Sequence, residues 1–319
     1  MSTASASRAL NSPQSVSADV LERVQAAATD LCYVANGAGR ALASQRSRVV
    51  GVIVPTLVDR LHSALLGAVE ATLRDAGFII ALVVAKDHPA GVANATDRLF
   101  SLSIQGLVLL GISNHEAASA RAAARRIVPV VVGPDASCDV SLGIDLGAET
   151  VGRYLYAEGH RRFGLLTTAD SDPPWLRRAP AAALHGALSE LPGASLVELA
   201  MPGGAPDAAI QGVQALLRQP MPPTAIVCAD DPTASAAIRA CAAAGVRVPE
   251  DVAVTGFGDE LERSAAGLAL TSLRLPVASA GAAAGRRLIA ALRAESPDEP
   301  GGARVRLHVR GSSASRVPP

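Results

Sequence analysis

Apolar residues recur along this chain with two periods. From Val49 onward, short runs of Val, Ile and Leu alternate with longer amphipathic stretches: VVGVIVP, a helical spacing over 61–76, FIIALVVA, a helix over 92–102, GLVLLG, a helix over 116–126, and VPVVVG. A second series follows the same plan. It runs VSLGID, a helix over 147–158, RFGLLT, an Ala-rich helix ending near Leu191, SLVELA, a helix over 207–218, TAIVCA, a helix over 233–244, and DVAVTGF. Strand-length apolar runs without polar alternation, separated by helices, predict βαβ units around parallel sheets covered on both faces. Two such series predict an α/β fold of two doubly wound lobes. The last helix, 277–293, is expected to return to the first lobe, with ARVRLHVRGSS as a closing strand. Lobes of this kind gather strand carboxyl ends and helix N-termini around a shared cleft, the usual place for a small ligand.

The first 48 residues follow another pattern. In MSTASASRALN only Ala6, Ala9 and Leu10 form an apolar stripe, too little for a helix to stand alone in water. From Ser17, a predicted N-cap, Val20, Leu21, Val24, Ala27, Ala28 and Leu31 fall at helical spacing, and a second short helix is expected over 36–44. The chain therefore divides into a small all-α headpiece (1–35), a hinge helix and linker (36–48), and a two-lobed ligand-binding and dimerisation domain (49–319).

Composition narrows the function classes. With 29 basic and 29 acidic residues the net charge is zero, so bulk attraction to nucleic acid or anionic membrane is absent and any such contact must be local. Within residues 1–48, Arg8, Arg23, Arg40, Arg46 and Arg48 outnumber Asp19, Glu22 and Asp30, placing a basic excess where phosphate contact would occur. Cys32, Cys138, Cys228 and Cys241 have no paired spacing, which speaks against a disulfide framework or zinc site and suits a cytoplasmic protein. FIIALVVA is strand-sized, so no membrane span is expected.

Catalytic signatures are missing from the sequence: there is no GxxxxGKS/T loop, no HExxH and no GxSxG elbow. The six histidines have no metal spacing. Asp230/Asp231 and Asp259/Glu260 follow apolar strands where an active site would place carboxylates, yet helix capping beside a ligand cleft accounts for them more simply. A non-enzyme with no catalytic residue, metal or cofactor is expected.

The segments SRALNSPQSVSADVLERVQAAATDLCYVANGAGRALAS, VVGVIVP, GHRRFGLL, VCADDPTASAAIRACAAAGVRVPEDVAVTGFGDE, LTSLRLPV and VRGSS, in this order, resemble the LacI/GalR family of bacterial transcription regulators. The resemblance implies a periplasmic-binding-protein-like body behind a helix-turn-helix. That helix-turn-helix is expected to be truncated, because the family's first helix (DVAxxAG) has no counterpart and Met1 falls on the first position of the recognition-helix pattern VSxxTVSRVLN. Two explanations stand: a start upstream of Met1, or a real truncation. By position, Thr3, Ala4 and Arg8 would face base edges, Arg8 with two donors for a guanine. Leu42 would wedge into the minor groove with Arg40 on phosphate. Gly37 and Gly39 each raise the cost of the hinge helix by about 1 kcal/mol.

In the cleft, the resemblance assigns the effector to Leu61, Arg177, Arg178, Asp230, Asp231 and Asp259, with departures from the family pattern. Pro180 stands where the ligand-gripping arginine of RxxGF/Y is usual, Asp230 replaces Asn, Gly258 replaces the first of two Asp, Leu275 replaces Gln, and Asp59-Arg60-Leu61 replaces Asn-Pro-Phe. Missing partners would leave sugar hydroxyls unpaired at about 1 to 3 kcal/mol each, which disfavours a hexose. The expected function is a DNA-binding regulator, a repressor, acting as a homodimer on a pseudo-palindromic operator under control of a small molecule. The alternatives are a solute-binding module and a headless effector domain without DNA binding.

Overall fold

The computed structural model describes residues 2–11, 13–31, 33, 47–58, 60–168, 175–202, 206–259, 267–296 and 304–314. The body consists of two α/β lobes. In the first, β1 (Val49–Val54), β2 (Ile79–Val84), β3 (Gly106–Leu110), β4 (Val128–Gly133) and β5 (Val140–Ser141) form a parallel sheet in the order β2-β1-β3-β4-β5. In the second, β6 (Arg162–Thr168), β7 (Ser195–Met201), β8 (Ala225–Cys228), β9 (Ala253–Phe257), β10 (Thr271–Arg274) and β11 (Arg306–His308) take the order β11-β10-β9-β8-β6-β7. Among the described residues, only the β10–β11 pair is antiparallel.

The central strands are apolar on successive residues because both of their faces are covered. Val50, Val52 and Val54 of β1 face Leu65, Val69 and Leu73 of α3 (Arg60–Asp75). Ile53 points the other way, toward Val92 and Leu99 of α4 (Pro89–Phe100). Also on that side, α5 (Glu116–Ala124) contributes Ala118 and Ala122. In the second lobe, Phe163 and Leu165 pack with α6 (Ile144–Ala157) and α7 (Trp175–Ser189), while Leu166 and Ile226 face α8 (Pro206–Leu217) and α9 (Asp231–Ala243).

Helix α10 (Val277–Arg293) leaves the second lobe's β10 and packs on α3 of the first, as the sequence pattern predicts. Gly281 makes this approach possible, since a Cβ there would lie 2.7 Å from the Ala68 methyl and 2.7 Å from the Leu65 carbonyl oxygen. Chain segments cross between lobes at β5–α6, β10–α10 and α10–β11. Because helices in βαβ units run antiparallel to their strands, the first two crossings bring the carboxyl ends of both sheets together.

Some boundaries differ from expectation. The VSLGID run is a strand only over Val140–Ser141: Gly143, at φ +66°, turns the chain and α6 begins at Ile144. Helix α4 starts at Pro89, three residues before the predicted Val92, because His88 accepts a hydrogen bond from the Gly91 amide as N-cap and proline suits the first turn. Ahead of the body, α1 (Thr3–Asn11), a short 3-10 turn (Pro13–Ser15) and α2 (Ala18–Asp30) form a helical pair. Ser17 is the N-cap residue by position but makes no side-chain capping bond.

Candidate functional sites in the headpiece and the cleft

In the headpiece, Ala9 of α1 and Val24 of α2 are buried, and Leu10, Val20 and Leu21 are partly covered. This small apolar contact holds the helices together and leaves Arg8 exposed on α1. Thr3 and Ala4 lie in the first turn of that helix, their backbone alone being described. Arg40 and Leu42, with the predicted hinge helix over 36–44, lie outside the described residues.

At the carboxyl ends of the first sheet, the segment after β1 presents Leu57 and Val58, the latter 96% exposed. Leu61, in the first turn of α3, packs partly against the main core. Sequence reasoning missed Asp87. Its carboxylate accepts hydrogen bonds from the Ser113 amide (2.9 Å) and the Asn114 amide (3.0 Å), so it ties the loop after β2 to the loop after β3. The available signal was its place directly after an apolar strand, as for the carboxylates that were noticed.

Across the cleft, Asp230 caps α9 by accepting from the Thr233 amide at 2.6 Å, the capping role favoured from sequence. Asp231 is fully buried and accepts from Ser272 Oγ at 2.5 Å. The Ser272 oxygen also accepts from the Asp259 amide at 3.0 Å, so this β10 hydroxyl links the segments that follow β8 and β9. Asp259, which the resemblance assigns to the effector, is engaged within the protein. Its side chain has no solvent exposure, and its carboxylate is held by Arg274 (2.7 Å), Arg310 (2.7 Å) and His308 (3.1 Å). Asp259 adopts φ +54°, a left-handed geometry that this cluster of cations holds in place.

The closing VRGSS motif now has a structural reason. Ser312 Oγ donates to the Val254 carbonyl (2.6 Å) and accepts from the Thr271 amide (2.8 Å), while the Arg310 guanidinium donates to the Leu270 carbonyl (2.7 Å). Leu275, where a polar residue was expected from the resemblance, is buried, and Gly258 adds no side chain. Arg177 and Arg178 fall in the first turn of α7 with only their backbone described, and Pro180 lies inside that helix. Among the described residues, the carboxylates of Asp87, Asp230, Asp231 and Asp259 at these strand ends are all engaged by protein partners.

Burial raises the Cys241 thiol to about 11 and pushes Cys228 well above the ordinary range, so neither forms a ready thiolate. Among the described residues no group of His, Cys, Asp and Glu could hold a metal ion, and no helix is long and apolar enough to cross a membrane.

Residues 153–313, about half of the chain, match the periplasmic binding protein-like domain. The HTH-type transcriptional regulator GntR of Pseudomonas aeruginosa is 32% identical over 312 residues, covering 91% of this chain and 85% of that protein. The chain belongs to the LacI family of transcriptional regulators. The HTH-type transcriptional repressor CytR of Escherichia coli K12 is 29% identical to this LacI-family regulator over 266 residues, 81% of this chain and 76% of CytR. In fold, the LacI-family chain superimposes on the lac repressor dimer bound to operator and the anti-inducer ONPF. The TM-score is 0.86 at 21% identity, over 99% of this chain and 96% of that one.

Proposed function

We propose that this LacI-family chain is a repressor that binds a pseudo-palindromic operator as a homodimer in the cytoplasm, and that a small molecule in the inter-lobe cleft modulates it. The observation that carries this reading is a helical pair with an exposed arginine, joined to a two-lobed body whose strand ends converge on a cleft. Thr3, Ala4 and Arg8 are assigned to base edges, and Arg40 and Leu42 to the minor groove. The α1–α2 pair would present α1 to the major groove, its register fixed by phosphate contacts.

Dimerisation is supported by the bare edge of the first sheet. Ile79, Leu82 and Val84 of β2 are exposed on an edge strand whose outer side has no partner strand among the described residues, an arrangement that invites pairing with a second chain. A dimer would carry two headpieces, matching two half-sites related by the same two-fold axis.

For the effector, Leu61, Arg177, Arg178 and Asp230 stay assigned to the cleft. Asp231 and Asp259 are assigned to its internal support. With Leu57, Val58, Leu61 and Leu275 at the cleft, each buried hydroxyl without a partner would cost about 1 to 3 kcal/mol, so the effector carries fewer hydroxyls than a hexose.

The test is selection of duplexes from the source's own genomic DNA by the full chain, followed by affinity measurement on the selected site. Arg8→Ala is expected to lower affinity there by about 1 to 3 kcal/mol and to relax preference at one base pair. Equal affinity of wild type and variant for every selected and unselected duplex would defeat the reading.

A further inference from the structure

A second charged surface lies on the body, at the end of the first lobe opposite the cleft. Strand N-termini gather there. The Gln105 amide donates to the Val49 carbonyl and the Val128 amide to the Gln105 carbonyl, so the starts of β1, β3 and β4 lie side by side. With strands about 4.8 Å apart, the starts of β1 and β4 are about 10 Å from one another. Helix C-termini reach the same end. Leu288, late in α10, lies against Gly106 at the start of β3, and Arg293 follows just over one turn later.

This end is rich in arginine. Arg74 pairs with Glu70 and Arg121 with Asp97, which neutralises those two. Arg48, Arg98, Arg125, Arg126 and Arg293 are exposed there, with no carboxylate partner among the described residues. Among the described residues, Asp75 at the end of α3 and Glu295 just after α10 are the exposed acids at this end that stand outside those two ion pairs. The Arg125 guanidinium stacks over the Phe100 ring, 4.7 Å from its centroid, which holds a cation at the surface instead of leaving it on a loose side chain. Arg126, at φ +60°, ends the turn after α5 and directs the chain into β4.

The chain also enters the body from the headpiece here, at Ser47–Arg48. A duplex held by the headpieces would therefore lie on this side of the body. We propose that this arginine-rich end of the first lobe is a second nucleic-acid surface, which attracts the phosphate backbone of duplex DNA independently of base sequence. The inference rests on the DNA-binding reading above and adds a contact outside the headpiece. A neutral chain has no bulk attraction for DNA, so a local concentration of unpaired cations beside the headpiece entry supplies the steering that net charge does not.

The test uses the full chain and a long random-sequence duplex, with affinity measured by fluorescence anisotropy from about 50 to 200 mM salt. Three double variants are compared with wild type: R125Q/R126Q, R48Q/R98Q, which leaves the Phe100 stacking intact, and R218Q/R239Q, which removes the same charge from the exposed surface of the second lobe. The slope of log affinity against log salt falls by about 0.9 for each phosphate that is no longer neutralised, so the first two variants should each lower it by about 2 and the third should leave it unchanged. Equal slopes in wild type and in both first-lobe variants would overturn the proposal while leaving headpiece binding in place. An equal decrease in R218Q/R239Q would overturn it too, by showing a response to total charge. Failure of wild type to bind any duplex at the lowest salt would sink the DNA-binding reading together with this surface.

Discussion

The two sheets are built on one plan and end differently at their edges. In the second lobe, β11 returns antiparallel to cover β10, and the Asp259 cluster with Arg274, His308 and Arg310 fastens it there. In the first lobe, β2 ends the sheet with Ile79, Leu82 and Val84 facing solvent. The first arrangement satisfies an edge within the chain through polar chemistry. The second leaves apolar surface for another chain to cover. On the proposed dimer, one edge contributes to folding and the other to assembly, and substitutions at the two should separate these effects.

The largest effect is expected at the covered edge. Asp259→Asn removes the charge facing two guanidiniums and should lower unfolding stability by about 3 kcal/mol, read as a drop in the urea midpoint. An unchanged midpoint would mean that β11 is held by backbone pairing alone. At the open edge, Leu82→Arg with Val84→Arg should weaken dimerisation about 100-fold, or about 2.7 kcal/mol, in sedimentation equilibrium, with the urea midpoint of the monomer kept. A dimer of undiminished strength would move the interface elsewhere.

Smaller changes sharpen the contrast inside each lobe. Asp87→Ala leaves the Ser113 and Asn114 amides without their acceptor and should cost about 1 to 2 kcal/mol, with faster hydrogen exchange in the loops after β2 and β3. In the second lobe, burial holds the His160 imidazole below its ordinary value of 6.5, against a smaller opposing pull from Glu158. The unfolded chain then takes up the proton first as pH falls. Stability from this group is complete above 6.5 and declines below it, and His160→Gln should flatten that part of the thermal-midpoint profile, the smallest effect of the four. A profile identical in variant and wild type would show that His160 carries no such pH dependence.

Much of this architecture was legible in the pattern of the chain. Unbroken runs such as VVGVIV and GLVLL announce strands buried on both faces, and α10 occupies the residues its periodicity predicts, Val277–Arg293. Helix starts were less legible where one residue decides them. Gly143 cuts β5 short through a positive φ, and His88 caps α4 although histidine is an uncommon cap. The site divides in the same way. Asp230 could be read as a cap because its partner, Thr233, is three residues away. Asp259 could not be read as an internal anchor, because Arg310 and His308 lie about fifty residues further on and meet it only when β11 folds back. Local chemistry was visible in the sequence, whereas pairings made by topology were not.

Two copies joined through the open edge should place two headpieces on one DNA site, and the functional reading depends on this. It is tested most directly by counting chains on a selected operator duplex by sedimentation velocity at low salt, with wild type beside the Leu82→Arg/Val84→Arg variant. The predicted result is two wild-type chains per duplex, with the variant binding as single chains at much lower affinity. One wild-type chain per duplex, or two chains of the variant bound as tightly as wild type, would contradict it.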